Sequence, residues 1–97
     1  MISFEQARAI AHERLAPDWE EGDCGKYTVA DYGFEDATVW LLIDGGSRLV
    51  IDGDYSCDPI GRGSTLVDKT TGEIYSVTYL EAPDRFDAMT PVGHHPS

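Results

Sequence analysis

The sequence has 97 residues, of which 18 are acidic and 7 are basic, so the net charge is −11. This length corresponds to one domain, and a composition of 41% hydrophobic and 26% charged residues is typical of a folded chain rather than a disordered one. The negative field repels nucleic acid and anionic membrane, which excludes both as direct partners. It attracts basic protein surfaces, although solubility alone is a second explanation for the charge.

The N-terminal segment 3–15 is a predicted helix. Ser3 is a good N-cap, and Gln6 three residues later completes a capping box. Apolar residues recur along the segment at spacings of three and four residues, which places them on one helix face. Pro17 cannot continue the helix. We expect the apolar stripe of this helix to pack on a sheet.

Strand patterns fill most of the middle of the chain, after a polar loop at 18–25. The predicted strands are residues 26–32, 38–43, 48–52, 64–68 and 73–79. The run at 38–43 is the most apolar and is predicted to be central. Turns are predicted at Asp44-Gly45-Gly46 and at Lys69–Gly72, so that each joins two strands into a hairpin.

The C-terminal part begins with a short helix at 83–89, with Pro83 in its first turn. Residues 90–97 hold two prolines and a glycine and are predicted to be a flexible tail. No strand–helix–strand alternation occurs, which argues against a parallel sheet. The prediction is a single α+β domain over 1–97, with an N-terminal helix packed on an antiparallel sheet of about four or five strands and a short C-terminal helix.

The sequence also bears on location. It contains no apolar run long enough to span a membrane and no pattern of a secretory signal peptide, so we expect a cytoplasmic protein. Cys24 and Cys57 belong to no CxxC pair. In a reducing compartment they are most simply free thiols, with a disulfide between them as the alternative.

Catalytic and metal-binding patterns are weak. The chain has no GxSxG or phosphate-binding glycine motif, and its acidic residues are too many for a catalytic pair to stand out. The run from Asp52 to Asp58 has oxygen ligands at spacings similar to those of a calcium loop, but it lacks the glycine and the terminal glutamate of an EF-hand. We therefore expect no catalytic residues, no metal and no cofactor, and predict that the protein is not an enzyme.

The distribution of charge points to a binding surface. Residues 18–58 contain eleven acidic and two basic residues, so this stretch carries −9 of the net charge. Aromatic residues lie among the acids, and aromatic residues within a charged surface are typical of protein-binding hot spots. Solvated turns with aromatic residues that cover the edge of the core are the other interpretation. The candidate partner-binding residues are Trp19, Glu20, Glu21, Asp23, Asp31, Tyr32, Glu35, Asp36, Asp52, Asp54, Tyr55 and Asp58.

Three segments resemble the immunity protein 35 family of bacterial polymorphic toxin systems. They are the helix at 2–15, the strand Val39-Trp-Leu-Leu-Ile-Asp44, and 60–75, where Gly61-Arg-Gly63 leads into a strand and an Asp-Lys-x-x-Gly turn. Ser64 departs from the family pattern, in which a proline commonly follows the second glycine.

The resemblance implies an immunity protein that binds and neutralises a cognate toxin by covering it in a stoichiometric complex. The acidic balance agrees with a toxin that has a basic surface. The alternative is a small-molecule-binding α+β domain with a pocket between helix and sheet.

Overall fold

The computed structural model of the chain describes residues 1–20, 22–57 and 63–94. The helices are α1 (Phe4–Leu15), α2 (Ser47–Val50) and α3 (Pro83–Asp87), and the strands are β1 (Tyr27–Glu35), β2 (Val39–Gly46), β3 (Ser64–Asp68), β4 (Ile74–Val77) and β5 (Thr90–Gly93). The strands form one antiparallel sheet in the order β4-β3-β2-β1-β5. The predicted α+β architecture is confirmed.

Helix α1 begins as its sequence predicts. The Gln6 amide donates to the Ser3 hydroxyl at 3.1 Å, and the Gln6 side chain accepts from the Ser3 amide at 2.8 Å, which completes the capping box. Ala7 and Ala11 are fully buried on the face that meets the sheet. Their small side chains allow the helix backbone to lie close to the strands.

Strand β2 is central and divides the core between the two faces of the sheet. Trp40 and Leu42 point toward α1, where Leu42 packs with the buried alanines. Val39 and Leu41 point to the other face, where they form a second cluster that Phe86 of α3 covers. The alternation follows from the two-residue period of a strand, with a helix available to bury each face.

The predicted hairpin of β3 and β4 is confirmed. At its turn the carboxylate of Asp68 accepts hydrogen bonds from the amides of Thr70 and Thr71 at 2.8 and 2.9 Å. The amides of Thr71 and Thr70 lower the pKa of Asp68 because they stabilise its charged form. Gly72 completes the turn at a φ of +75°, a conformation that glycine adopts without strain.

The predicted turn at Asp44-Gly45-Gly46 and the returning strand at 48–52 are wrong. Both glycines lie in β2, and a side chain at Gly46 would collide with the backbone of Cys24. The two edges of β2 are occupied by β1 and β3, so no position remains beside it for a returning strand. The chain turns instead into the four-residue helix α2.

Strand β1 contains a bulge. Val29 pairs with Asp44 and Gly33 pairs with Leu42, so β1 has two residues more than β2 between these pairs. Because the insertion is even, side chains before and after it keep the same orientation to the faces of the sheet. The inserted stretch includes Asp31 and raises part of β1 away from β2.

The segment expected to be a flexible tail contains a strand. Residues Thr90–Gly93 form β5, which pairs with β1 through Val92 and Gly33. Pro91 is tolerated because β5 is an edge strand. Residues 95–97 of the predicted tail lie outside the described residues.

The expectation of free thiols is wrong. Cys24 and Cys57 form a disulfide, with their Cα atoms 5.7 Å apart. They are separated by 33 positions in the sequence. The excursion of the chain through α2 brings them together, and no local pattern in the sequence indicates it.

Candidate functional site

A surface cleft of about 420 Å³ lies between the β1 bulge, the α2 segment and the end of β5. We call it the α2 cleft, and its lining residues are Asp31, Tyr32, Leu49, Val50, Ile51, Asp52, Gly53 and His94. Ile51 is 72% exposed, which is unusual for a large apolar residue. The carboxylates of Asp31 and Asp52 are exposed beside it. The cleft thus combines an apolar patch with negative charge.

Backbone hydrogen bonds position both walls of the cleft. On one side the His94 amide donates to the Asp31 carbonyl at 3.0 Å, which ties the end of β5 to the bulge. On the other side the Ile51 amide donates to the Ser47 carbonyl at 2.8 Å, and the Gly53 amide donates to the Leu49 carbonyl at 3.2 Å. The turn that presents Ile51 and Asp52 is therefore a hydrogen-bonded continuation of α2.

The α2 segment is in turn anchored to the loop before β1. The Ser47 amide donates to the Lys26 carbonyl at 2.9 Å, and the Arg48 amide donates to the Cys24 carbonyl at 3.0 Å. The disulfide joins the same loop to Cys57 at the far end of the segment. Residues 47–57 are consequently held at both ends.

Arg48 links the segment internally. One of its nitrogens lies 2.9 Å from the Asp54 carboxylate, and another donates to the Asp23 carbonyl at 3.2 Å. Asp54 also accepts hydrogen bonds from the hydroxyl and the amide of Ser56. These two bonds, with a smaller contribution from Arg48, lower the pKa of Asp54. Asp54 therefore organises this turn.

Two other candidate acids are engaged in ion pairs away from the cleft. Glu35 accepts from the buried Lys69 at 2.9 Å. Asp36 accepts from Arg85 at 2.7 Å and also from the amides of Thr38 and Val39. Burial raises the pKa of Asp36, but the hydrogen bonds from Arg85 and from the turn outweigh it and lower that pKa to about 2.

The remaining candidates lie around the loop before β1 or beyond the described part of the chain. Trp19 packs into the fold: its indole N–H donates to the Gly25 carbonyl at 3.1 Å, and its ring centroid lies 5.6 Å from that of Tyr27. Glu20 and Asp23 are exposed. The backbone of Tyr55 lies in a 3-10 turn, and Glu21 and Asp58 lie outside the described residues.

The structure thus brings three of the candidates, Asp31, Tyr32 and Asp52, together at one cleft. Sequence reasoning missed Ile51 and His94, which were assigned to a hairpin strand and to a flexible tail. In the sequence, the apolar run 49–51 ends in Asp52-Gly53, and this turn pattern is the feature that could have indicated an exposed apolar residue at position 51.

Three other types of site can be compared with the described residues: a metal centre, a membrane span and a pocket between helix and sheet. Within residues 1–20, 22–57 and 63–94, no group of three or more His, Cys, Asp or Glu side chains is arranged to hold a metal ion. None of the described helices has the length and hydrophobicity of a membrane span. At the interface between α1 and the sheet, where the alternative interpretation places a ligand, Ala11, Leu42 and Val67 are each at most 2% exposed. A second surface cleft, of about 270 Å³, lies between α1 and β1 and is lined by Glu5, Arg8, Ala9, His12 and Val29.

Comparison with protein-family models, curated proteins and solved structures finds no match for this chain.

Proposed function

We propose that the protein is an immunity protein that binds a toxin with a basic surface and neutralises it by stoichiometric occlusion. The observation that carries the proposal is the α2 cleft, whose lining includes the exposed Ile51 and the exposed acids Asp31 and Asp52. An apolar centre with a charged rim is the usual composition of a protein-binding surface.

Rigidity supports a binding role. The cleft wall formed by residues 47–57 is tied to the loop before β1 by two backbone hydrogen bonds, by Arg48 and by the disulfide. A surface that is already ordered loses little conformational entropy on binding, so more of the contact energy appears as affinity.

The net charge supports a partner that is a positively charged protein. A net charge of −11 favours encounter with a positively charged protein and disfavours encounter with nucleic acid. The resemblance of residues 2–15, 39–44 and 60–75 to the immunity protein 35 family suggests that the positively charged partner is a bacterial toxin. Occlusion needs a surface and no catalytic group.

The primary test is co-expression with the product of the adjacent gene, with co-purification and rescue of growth as the measurements. We expect a stable complex and suppressed toxicity. A harmless neighbour that does not bind would contradict the proposal.

Measuring how much the acidic residues contribute to association with the partner requires a variant that leaves the fold intact. Glu35, Asp36 and Asp54 are unsuitable because each is paired with a cation of the same chain. Replacing Asp23, Asp31 and Asp52 with Asn removes three exposed charges, two of them from the lining of the cleft. Association with the partner should slow, and its rate should depend less on salt concentration.

A matched control carries Glu13→Gln, Glu73→Gln and Asp84→Asn, which removes three exposed charges from α1, the β3–β4 turn and α3. We expect the control to bind more nearly like the wild type. Equal slowing of both variants would mean that only the net charge matters and that the cleft is not the contact surface.

A further inference from the structure

The α2 cleft has a composition that suits one particular side chain. Its described lining offers two carboxylates and the exposed aliphatic side chain of Ile51, and it includes Tyr32 and His94 but no lysine or arginine. The nearest cation in the sequence, Arg48, is engaged with Asp54 and with the Asp23 carbonyl. The described wall of the cleft therefore opposes its two carboxylates with the imidazole of His94 and with no lysine or arginine.

We infer that the α2 cleft binds an arginine side chain presented by a surface loop of the partner protein; the inference rests on the proposed function. An arginine has an aliphatic stem that packs on apolar surface and a planar guanidinium that pairs with carboxylates and stacks on aromatic rings. Ile51 provides the apolar surface, and Asp31 and Asp52 provide the carboxylates.

Arginine fits these groups better than lysine does. The guanidinium presents several N–H donors in one plane, so it can form a bidentate pair with a carboxylate such as that of Asp31 or Asp52. The ammonium group of lysine is more strongly hydrated and stacks less well on aromatic surface. Arginine is also enriched at the centres of protein interfaces, whereas lysine is depleted there.

The two walls that would hold this side chain come from distant parts of the chain. The hydrogen bond from His94 to Asp31 fixes the β1 wall, and the α2 hydrogen bonds fix the wall of Ile51 and Asp52. The carboxylates are thus presented by backbone that is hydrogen-bonded before a partner arrives.

The test uses the full-length ¹⁵N-labelled protein and the tripeptide acetyl-Gly-Arg-Gly-amide, so it does not depend on knowing the toxin. We expect saturable chemical-shift changes at residues 31–32, 49–53 and 94. The same peptide with citrulline in place of arginine, which keeps the shape and removes the charge, should produce no such changes. Asp31→Asn with Asp52→Asn should weaken binding roughly tenfold.

Two controls separate the cleft from the general charge of the protein. Glu13→Gln with Glu73→Gln removes the same number of charges elsewhere and should leave the titration nearly unchanged. Ile51→Ser keeps both carboxylates and should weaken the binding by removing the apolar support. Absence of saturable changes with the wild type, changes spread over all acidic regions, or equal loss in both double variants would overturn the inference.

This result is independent of the co-expression test. If the chemical-shift changes are localised to the cleft but the neighbouring gene product does not bind, the inferred arginine site is supported and the proposed toxin partner is contradicted. A stable complex with a diffuse titration would leave the proposed function standing and place the contact elsewhere.

Discussion

The Nζ atom of Lys69 lies 2.9 Å from Oε1 of Glu35, although Lys69 itself is only 6% exposed. The same nitrogen lies 4.2 Å from the centroid of the Trp40 ring. Burial of an ammonium group is costly unless an opposite charge compensates it, and the Glu35 carboxylate supplies that charge across two elements of the sheet. Glu35 is thus part of the fold as well as one of the eleven acids between residues 18 and 58.

Removing one member of this pair should have a different effect from removing the other. Glu35→Gln leaves a buried ammonium without its counter-charge and should lower the free energy of unfolding by about 1–2 kcal/mol, discounted because Glu35 is partly exposed. Lys69→Met replaces the cation with an apolar chain of similar length and should cost less. Urea unfolding measures the loss of unfolding free energy in both variants. A larger loss for Lys69→Met than for Glu35→Gln would show that the buried cation stabilises the fold by more than the loss of its counter-charge costs.

The lowered pKa of Asp36 predicts how the stability of the protein changes in acid. Its pKa of about 2 lies below the ordinary value of 3.8, so its ionised form contributes stability above about pH 4 and loses that contribution as the pH falls toward about 2. Asp36→Asn should cost about 1–2 kcal/mol near neutral pH, because it removes charged hydrogen bonds to Arg85 and to the turn.

The pH dependence isolates the charge. The difference in unfolding free energy between the wild type and Asp36→Asn should shrink as the pH falls through this window, because protonation of Asp36 removes the same charge as the substitution. Urea unfolding at a series of pH values provides the measurement. A difference that stayed constant down to the acid limit would mean that Asp36 is not ionised in the pair with Arg85.

Local patterns explain which parts of the fold were predictable. The capping box of Ser3 and Gln6 and the turn at Gly72 involve residues within a few positions of one another, so the sequence contains the whole interaction. The central strand was predictable because both of its faces are covered and its residues are apolar without interruption.

The parts that could not be predicted depend on distant partners. Asp36 pairs with a residue 49 positions away, and Glu35 pairs with one 34 positions away, so nothing near either acid distinguishes it from the exposed Asp31 and Asp52. Helix α2 forms because β3 already occupies the edge of β2 that a returning strand would need. The cleft exists only once β5 and the bulge are in place.

The disulfide should contribute substantially to stability. It closes a loop across 33 positions, and the loss of unfolded-state entropy from such a loop corresponds to about 3–4 kcal/mol. Cys24→Ser with Cys57→Ser, or reduction of the wild type, should therefore lower the free energy of unfolding by roughly this amount. The two treatments should agree, and a thiol titration of the oxidised protein should find no reactive group.

The redox state in the cell bears on location. Disulfides are rare in the reducing cytosol, whereas the sequence predicts a cytoplasmic protein. Alkylation of thiols in intact cells distinguishes the two: modification at Cys24 and Cys57 would mean that the pair is reduced where the protein resides, and protection from the reagent would contradict the cytoplasmic prediction.

Gly93 provides a direct test of strand β5. It has a φ of +79°, and a side chain there would lie 2.8 Å from Cα of Tyr32 and would collide with the carbonyl of Asp31. Gly53 has a similar φ of +70° but nothing within 4 Å of an added Cβ, so it serves as a control for backbone strain alone. Gly53→Ala should cost about 1 kcal/mol, the penalty for a positive φ.

Gly93→Ala should cost more, roughly 2–3 kcal/mol, because the backbone of β1 cannot yield without breaking the pairing with β5. The excess over the Gly53 variant measures the contact between the strands, and thermal or urea unfolding of both proteins gives it. If residues 90–93 formed a flexible tail, Gly93→Ala would cost less than Gly53→Ala. Amide exchange at His94, whose N–H donates to Asp31, should accelerate in the Gly93 variant and remain slow in the Gly53 variant.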